Sequence, residues 1–181
     1  PVYKEGNKLE VKNYRPISLT CPAVKIMESI IVDELENFMN KHALIPSQQH
    51  GFTKGRSIES NLLSCLNDWS SSLDNSETFD ILYLDFSKAF DKVPIHLLIL
   101  KLKLYGISGR LLAWIECFLS NRTFSVKVDK SLSDVYNVLS GVPQGSVLGP
   151  KLFLLYTADI PQSIVSTCAM YADDIKLYNT T

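Results

Sequence analysis

Met170-Tyr171-Ala172-Asp173-Asp174 sets two adjacent carboxylates between two apolar runs, Ile164-Val165-Ser166-Thr167-Cys168-Ala169 and Ile175-Lys176-Leu177-Tyr178. The runs read as strands and the stretch between them as the tip of a hairpin. A short turn there brings both acids to the rim of a sheet, where oxygen ligands can reach a divalent cation. Two anions side by side repel, so a positive group is expected beside them. Asp-Asp is also an ordinary polar turn, and the stretch needs a partner elsewhere in the chain before it implies chemistry.

A second acidic stretch, Tyr83-Leu84-Asp85-Phe86-Ser87-Lys88-Ala89-Phe90-Asp91, supplies that partner. Phe79 to Leu84 is short, apolar and β-favouring, and reads as a buried strand ending at Asp85. If it lies beside the hairpin, Asp85 and Asp173 converge and can bracket two magnesium ions, an arrangement that stabilises both the attacking and the leaving oxygen in phosphoryl transfer. Between the two acidic stretches sits Ser140-Gly141-Val142-Pro143-Gln144-Gly145-Ser146-Val147-Leu148-Gly149-Pro150, a glycine-punctuated loop opening a helix. Such a loop lets backbone approach a ligand and offers free N–H groups to an anion, although a plain strand-to-helix connection has the same outline. Gln144 stands out because its amide both donates and accepts.

Further outward, Ala23 to Met39 carries Val24, Met27, Ile31, Leu35 and Phe38 at helical spacing after Pro22, and Ile58 to Leu73 repeats the pattern behind a Ser57 cap. Pro46 to Arg56 is a polar loop. After Pro94 the leucine-rich run to Leu104 reads as a helix stopped by Gly106, and another covers Ser108 to Leu119. Thr123 to Val128 and Val135 to Leu139 alternate as a pair of strands, and Gly149 to Ile160 is apolar enough for a buried helix. From Phe79 onward the order is strand, helices, strands, helix, hairpin, which predicts an α+β sheet with helices packed on one face.

At 181 residues and 46% hydrophobic, the chain suits one compact domain or two lobes sharing a core, and disorder is excluded. It opens on Pro1 rather than Met and reads as an interior piece of a longer protein. No run is long and uncharged enough to span a membrane. Cys21, Cys65, Cys117 and Cys168 lie far apart, which excludes a zinc ribbon and a disulfide framework and makes a reduced, intracellular protein the expectation. The net charge of −1 argues against a large nucleic-acid footprint, yet Lys101, Lys103, Arg110, Arg122, Lys127 and Lys130 face only Glu116 and Asp129 in that region. Gly51 to Ser57 is one residue short of a phosphate-binding loop and has Arg where Lys is needed, Ser146 lacks the spacing of a hydrolase nucleophile, and His42, His50 and His96 are scattered singly.

Taken in order, these segments resemble the reverse transcriptase domain of non-LTR (LINE-type) retrotransposons. Leu84-Asp85-Phe86-Ser87-Lys88-Ala89-Phe90-Asp91-Lys92-Val93 is similar to the family's motif A, Gly141 to Pro150 to motif B, and Tyr171-Ala172-Asp173-Asp174 to motif C. Asn13-Tyr14-Arg15-Pro16-Ile17-Ser18-Leu19 resembles a fingers segment, and Gln49-His50-Gly51-Phe52 the block that follows it. The resemblance covers essentially the whole chain. It departs from the family at Ile95, where many relatives have His, and at Ala158, where many have Asn; the chain stops just after motif C.

The resemblance implies an α+β right-hand polymerase fragment. Residues 1–78 would be mostly helical fingers and residues 79–181 a palm carrying motifs A, B and C, with an antiparallel palm sheet packed on helices and the thumb absent. The implied activity is RNA-directed DNA polymerisation, joining dNTPs to a DNA primer 3′-hydroxyl on an RNA template with two Mg2+ ions, for which Mn2+ can substitute. Asp85 and Asp173 would ligate both ions, with Asp174 supporting them and the Phe86 carbonyl available to one; Asp91 is not a ligand. Phe90 would lie against the incoming sugar and exclude a 2′-hydroxyl, Gln144 and Gly145 would meet the nucleotide, and Arg15 and Lys4 would clamp its triphosphate. The remaining partners implied are the thumb and endonuclease of a parent polyprotein, in the nucleus and cytoplasm, with no membrane. Two alternatives stay open: an inactive palm remnant serving at most as a nucleic-acid-binding module, and an RNA-templated RNA polymerase, which Phe90 disfavours.

Overall fold

The computed structural model describes residues 1–180. Among the described residues the elements follow one another as β1 (Val2–Tyr3), β2 (Tyr14–Arg15), α1 (Pro22–Lys41), α2 (Ile58–Asp74), β3 (Phe79–Asp85), α3 (Ile95–Leu104), α4 (Gly109–Leu119), β4 (Thr123–Phe124), β5 (Lys127–Val128), β6 (Ser131–Leu132), β7 (Tyr136–Asn137), α5 (Gly149–Thr157), β8 (Thr167–Tyr171) and β9 (Asp174–Thr180). The chain gathers into two compact units, one of Pro1–Glu34 with Phe90–Leu152, the other of Leu35–Ala89 with the segment from Phe153 onward. This grouping does not follow the expected boundary at 78/79. Helix α2 groups with the sheet through Cys65 and Trp69, which pack on it, and not through the expected apolar repeat: Ile58, Leu62, Leu66 and Leu73 are exposed, and Asn61, Cys65 and Ser72 are the buried residues of this helix.

The second unit is organised by a three-stranded antiparallel sheet in the order β3-β9-β8. Period-two alternation gives it two faces. On one, Ile81, Ala169 and Tyr178 pack with Cys65 and Trp69 of α2, and the Tyr178 hydroxyl donates to Asp68 Oδ2 at 2.6 Å. Burial and that neighbouring carboxylate push the Tyr178 phenol well above its ordinary range. On the other face Cys168, Met170 and Ile175 pack with Ile160, Ile164 and Leu177. Helix α2 starts as the sequence predicts: Ser57 Oγ accepts from Ser60 N and Ser60 Oγ accepts from Ser57 N, a reciprocal capping box.

β3 has the expected limits but not the expected burial. It is an edge strand, and the Ile160 and Ile164 cover lies over β8 and β9, so Leu82 and Leu84 remain 55% and 41% exposed. The stripe on α1 is also displaced from the one predicted. Glu28, Val32, Leu35 and Met39 are the buried residues, while Met27 is 42% exposed. A carboxylate therefore occupies a core position of this helix.

In the first unit α3 and α4 pack as neighbours, with Gly106 at φ +91° ending the turn after α3. The predicted strand pair at 123–139 is realised as two short ladders: β4 pairs with β7, and β5 pairs with β6 across a tight turn at Asp129. The ladder breaks between them because Ser133 Oγ, rather than a backbone carbonyl, accepts from Val126 N. Helix α5 is shorter than predicted, giving way to a 3-10 turn at Ile160–Ser163. Leu152, Phe153, Leu154 and Leu155 are all buried, the pattern of a helix covered all round. All four cysteines are free, and among the described residues no helix is long and apolar enough to cross a membrane.

Candidate active site

β8 ends at Tyr171 and β9 begins at Asp174, and these two pair directly, so Ala172 and Asp173 form a two-residue turn. Ala172 has φ +57°. Positive φ at the first central position is what a type II′ hairpin turn uses, normally with glycine; a residue with a Cβ holds it at a cost of about 1–3 kcal/mol unless its surroundings fix it.

Those surroundings come from the loop at 46–56. Gln49, only 2% exposed, sets its side-chain amide against the turn: Oε1 accepts from Ala172 N at 2.8 Å and Gly51 N at 2.8 Å, and Nε2 donates to Ala172 O at 3.2 Å. The backbones join as well, with Met170 N donating to Gln48 O and His50 N to Met170 O in a short parallel bridge. Arg56 Nη1 collects the carbonyls of Pro46, Ser47 and Gln49 and so shapes the loop. A Cβ on Gly51 would lie 2.2 Å from Ala172 N, so no larger residue fits. His50 Nδ1 lies 2.7 Å from Ser60 Oγ. Its burial, with the Arg56 charge nearby, holds the imidazole below its ordinary value.

The register places Asp85 directly opposite Asp174, the neighbour of Asp173. Side chains directly opposite on adjacent strands share a face, so two exposed carboxylates stand together at the end of the sheet, with the half-buried Asp173 on the turn beside them. Like charges in that position destabilise a sheet, and a bound cation offsets the repulsion. The donors are all carboxylate oxygens, which suits a hard divalent ion such as Mg2+ or Mn2+. Among the described residues no three His, Cys, Asp or Glu side chains already stand close enough to hold one. Lys176 lies two residues along β9 from Asp174 on the same face and donates from Nζ to Asn61 Oδ1 at 2.7 Å. Phe86 follows Asp85 just beyond the strand and is 45% exposed.

The other expected site residues lie in the first unit. Phe90 is half-buried at the start of a 3-10 turn, and its carbonyl accepts from Val142 N at 2.8 Å, tying it to the glycine-rich loop. Gly141, at φ +90°, has Asp91 O 2.7 Å from the place a Cβ would occupy. Gln144 is half-buried, and its carbonyl accepts from Ser18 N at 2.8 Å. Gly145 has φ +98°, and the backbone it approaches closely is Ser18 O, 2.9 Å from a built Cβ. Arg15 is exposed on β2, opposite Val2 of β1. Lys4 follows β1, its Nζ 3.9 Å from Glu5 Oε1 in a solvent-exposed pair of little energetic weight.

Sequence reasoning passed over three residues that shape these loops. Gln49 stands in the sequence only as a member of the Gln49-His50-Gly51-Phe52 block, and a glutamine in a polar loop carries no local sign of burial. Glu28 carried a sign, a charge on the apolar side of a helix, and its Oε2 accepts from Val147 N at 2.8 Å and Leu148 N at 2.9 Å where α5 begins. Arg122 was counted in a basic zone, but it donates from Nε to Leu119 O and from Nη2 to Gly141 O. Burial lowers its pKa, though a guanidinium stays charged.

Among curated proteins, the chain is 34% identical over 185 residues to the RNA-directed DNA polymerase from mobile element jockey of Drosophila funebris, covering 97% of this chain and 20% of that protein. It is 28% identical over 167 residues to the retrovirus-related Pol polyprotein from type-1 retrotransposable element R2 of Popillia japonica, covering 91% of this chain and 23% of that one. The chain thus spans about a fifth of the length of these relatives. Among solved structures it is similar to the telomerase of Candida albicans in complex with a fragment of telomeric RNA, with a TM-score of 0.61 at 14% identity over 86% of this chain and 30% of that one, a likeness of fold alone. The family model described as reverse transcriptase (RNA-dependent DNA polymerase) matches residues 2–181. With helices and antiparallel strands in the reverse transcriptase arrangement and relatives of the non-LTR retrotransposon type over nearly its whole length, this chain belongs to the reverse transcriptase family.

Proposed function

We propose that this chain carries the nucleotidyl-transfer centre of an RNA-directed DNA polymerase that extends a DNA primer with dNTPs on an RNA template. The observation that carries the reading is the opposition of Asp85 and Asp174 at the end of one sheet, with Asp173 on the adjoining turn. A binding-only domain gains nothing from opposing two carboxylates there, because phosphates would be repelled. In this reading the three-stranded sheet is the palm and residues before it contribute the fingers.

Asp85, Asp173 and Asp174, with the Phe86 carbonyl, would hold two Mg2+ ions, for which Mn2+ can substitute. Such ions, when bound, ease deprotonation of the primer hydroxyl and neutralise charge on the triphosphate and leaving pyrophosphate. The Phe90 ring excludes a 2′-hydroxyl and so selects deoxynucleotides. Gln144 and Gly145 orient the incoming nucleotide, the former through an amide free to donate and accept. Arg15 and Lys4 supply positive charge to the triphosphate, Arg15 with a fork matched to phosphate oxygens.

The test is primer extension by the polypeptide that contains this chain, with an RNA template, a DNA primer, dNTPs and Mg2+. Asp173→Asn is expected to abolish extension while leaving the circular dichroism melting curve unchanged. Full extension by that variant overturns the assignment of the acids.

A further inference from the structure

We infer that Gln49 is a positioning residue for the acidic turn: through its two hydrogen bonds to Ala172 it fixes the direction in which Asp173 presents its carboxylate to cations. The inference rests on the reading of Asp173 as an ion ligand and assigns a residue 124 positions away to the same task. Ala172 immediately precedes Asp173, and its left-handed φ sets the course of the chain into that residue. Both polar groups of the Ala172 peptide unit are engaged by one amide, its N–H by Oε1 and its C=O by Nε2.

The match requires an acceptor and a donor side by side at the end of a side chain of this length. Asparagine is a methylene short, glutamate has no donor, and a hydrophobe leaves both groups of Ala172 bare. Gln49 is itself fixed, by burial, by Gly51 N on the same Oε1 and by Arg56 Nη1 on its carbonyl. Gly51 closes the other side, since any Cβ there would strike Ala172 N. A part that served stability alone could grip the hairpin anywhere along its length. Asn61 does so, donating from Nδ2 to Met170 O. The Gln49 amide is spent instead on the residue where a rotation of a few tens of degrees would swing Asp173 off its target. Groups that orient a metal ligand without touching the metal typically govern affinity by 10–100-fold.

The variant is Gln49→Glu, which keeps shape and the Oε1 acceptor but sets an anionic oxygen against Ala172 O. Three quantities are measured in the full polypeptide: Mn2+ affinity by electron paramagnetic resonance of the free ion, kcat and KM for dNTP in primer extension, and the melting temperature. The expected result is Mn2+ affinity weakened about 10-fold, kcat lowered with KM for dNTP nearly unchanged, and a cooperative melt at a lower temperature than wild type, since a buried anion then faces a carbonyl. In an Asp173→Asn background, Gln49→Glu should weaken Mn2+ binding no further, because it acts through that carboxylate; an equal additional loss would mean a general structural role and overturn the inference. Unchanged Mn2+ affinity in Gln49→Glu also overturns it. If Asp173→Asn weakens Mn2+ binding and Gln49→Glu does not, the Gln49 inference fails alone. If Asp173→Asn leaves Mn2+ affinity untouched, the reading of the acids fails and takes the inference with it. Should Gln49→Glu not fold, Gln49→Met, which keeps the volume and removes both polar functions, replaces it. Failure of both to fold assigns Gln49 to stability and overturns the inference.

Discussion

Replacing Glu28 with alanine tests whether the glycine-rich loop is anchored by a buried carboxylate. Glu28 is fully buried, and its Oε2 is the acceptor for Val147 N and Leu148 N at 2.8 and 2.9 Å. Hydrogen bonds to a charged acceptor contribute about 1.5–3 kcal/mol each, and two sharing one oxygen add to less than their sum. Truncation also leaves two N–H groups at the start of α5 without an acceptor. We expect Glu28→Ala to cost about 3 kcal/mol, which at a urea m-value of about 2 kcal/mol/M lowers the unfolding midpoint by about 1.5 M with no change in slope. Glu28→Gln keeps an oxygen for both donors and places an NH2 where Oε1 now has no hydrogen-bond partner; it should cost about 1 kcal/mol. Equilibrium urea unfolding followed by circular dichroism separates the three proteins. An alanine variant within about 0.5 kcal/mol of wild type, or a glutamine variant as costly as alanine, would refute the anchoring role.

Gly51→Ala should destabilise by about 3 kcal/mol or more, because its Cβ would sit 2.2 Å from a backbone nitrogen that cannot retreat. Gly55→Ala, with φ +76° and open space around it, should cost only about 1 kcal/mol, and comparable losses in thermal melts would undo the steric argument. His50 has a folded-state pKa below its unfolded value, so the unfolded chain takes up the proton first as the medium is acidified. Stability should therefore fall as pH drops below the ordinary imidazole value of about 6.5, and His50→Gln should flatten that part of a plot of melting temperature against pH. An unaltered plot would remove His50 from the account. Phe90→Ala should raise incorporation of ribonucleotides relative to deoxynucleotides in primer extension; an unchanged ratio would strip Phe90 of its selective role without touching the acids.

Much of the architecture is legible in the chain because local signals and tertiary needs agree. Ser57 before an apolar helical repeat, Gly106 after a leucine-rich run and two alternating runs around Ala172-Asp173 each describe the element that forms. The strand at Phe79–Asp85 was readable as a strand, but its edge position depends on which elements lie over the sheet, and a run of apolar residues does not record that. The stripe on α1 is displaced because an apolar repeat does not include Glu28, whose burial depends on two N–H groups more than a hundred residues away. The pair at 123–139 broke because Ser133 competes for Val126 N, a side-chain preference invisible to alternation. At the site, the acids announced themselves and their support did not. A cluster of carboxylates is anomalous in any sequence, whereas Gln49 and Arg56 act through backbone groups, which are the same in every residue.

The grip of Gln49 on Ala172 spans 123 residues, and that separation bears on the order of assembly. The hairpin from Thr167 onward is a local structure, able to close in about 1–10 microseconds. Its turn, however, uses a conformation that alanine disfavours until the distant amide arrives. During synthesis the early segment waits, already made, for its counterpart to emerge. The turn that carries Asp173 thus reaches its final geometry only after a long loop has closed, later than the formation of the strands that flank it.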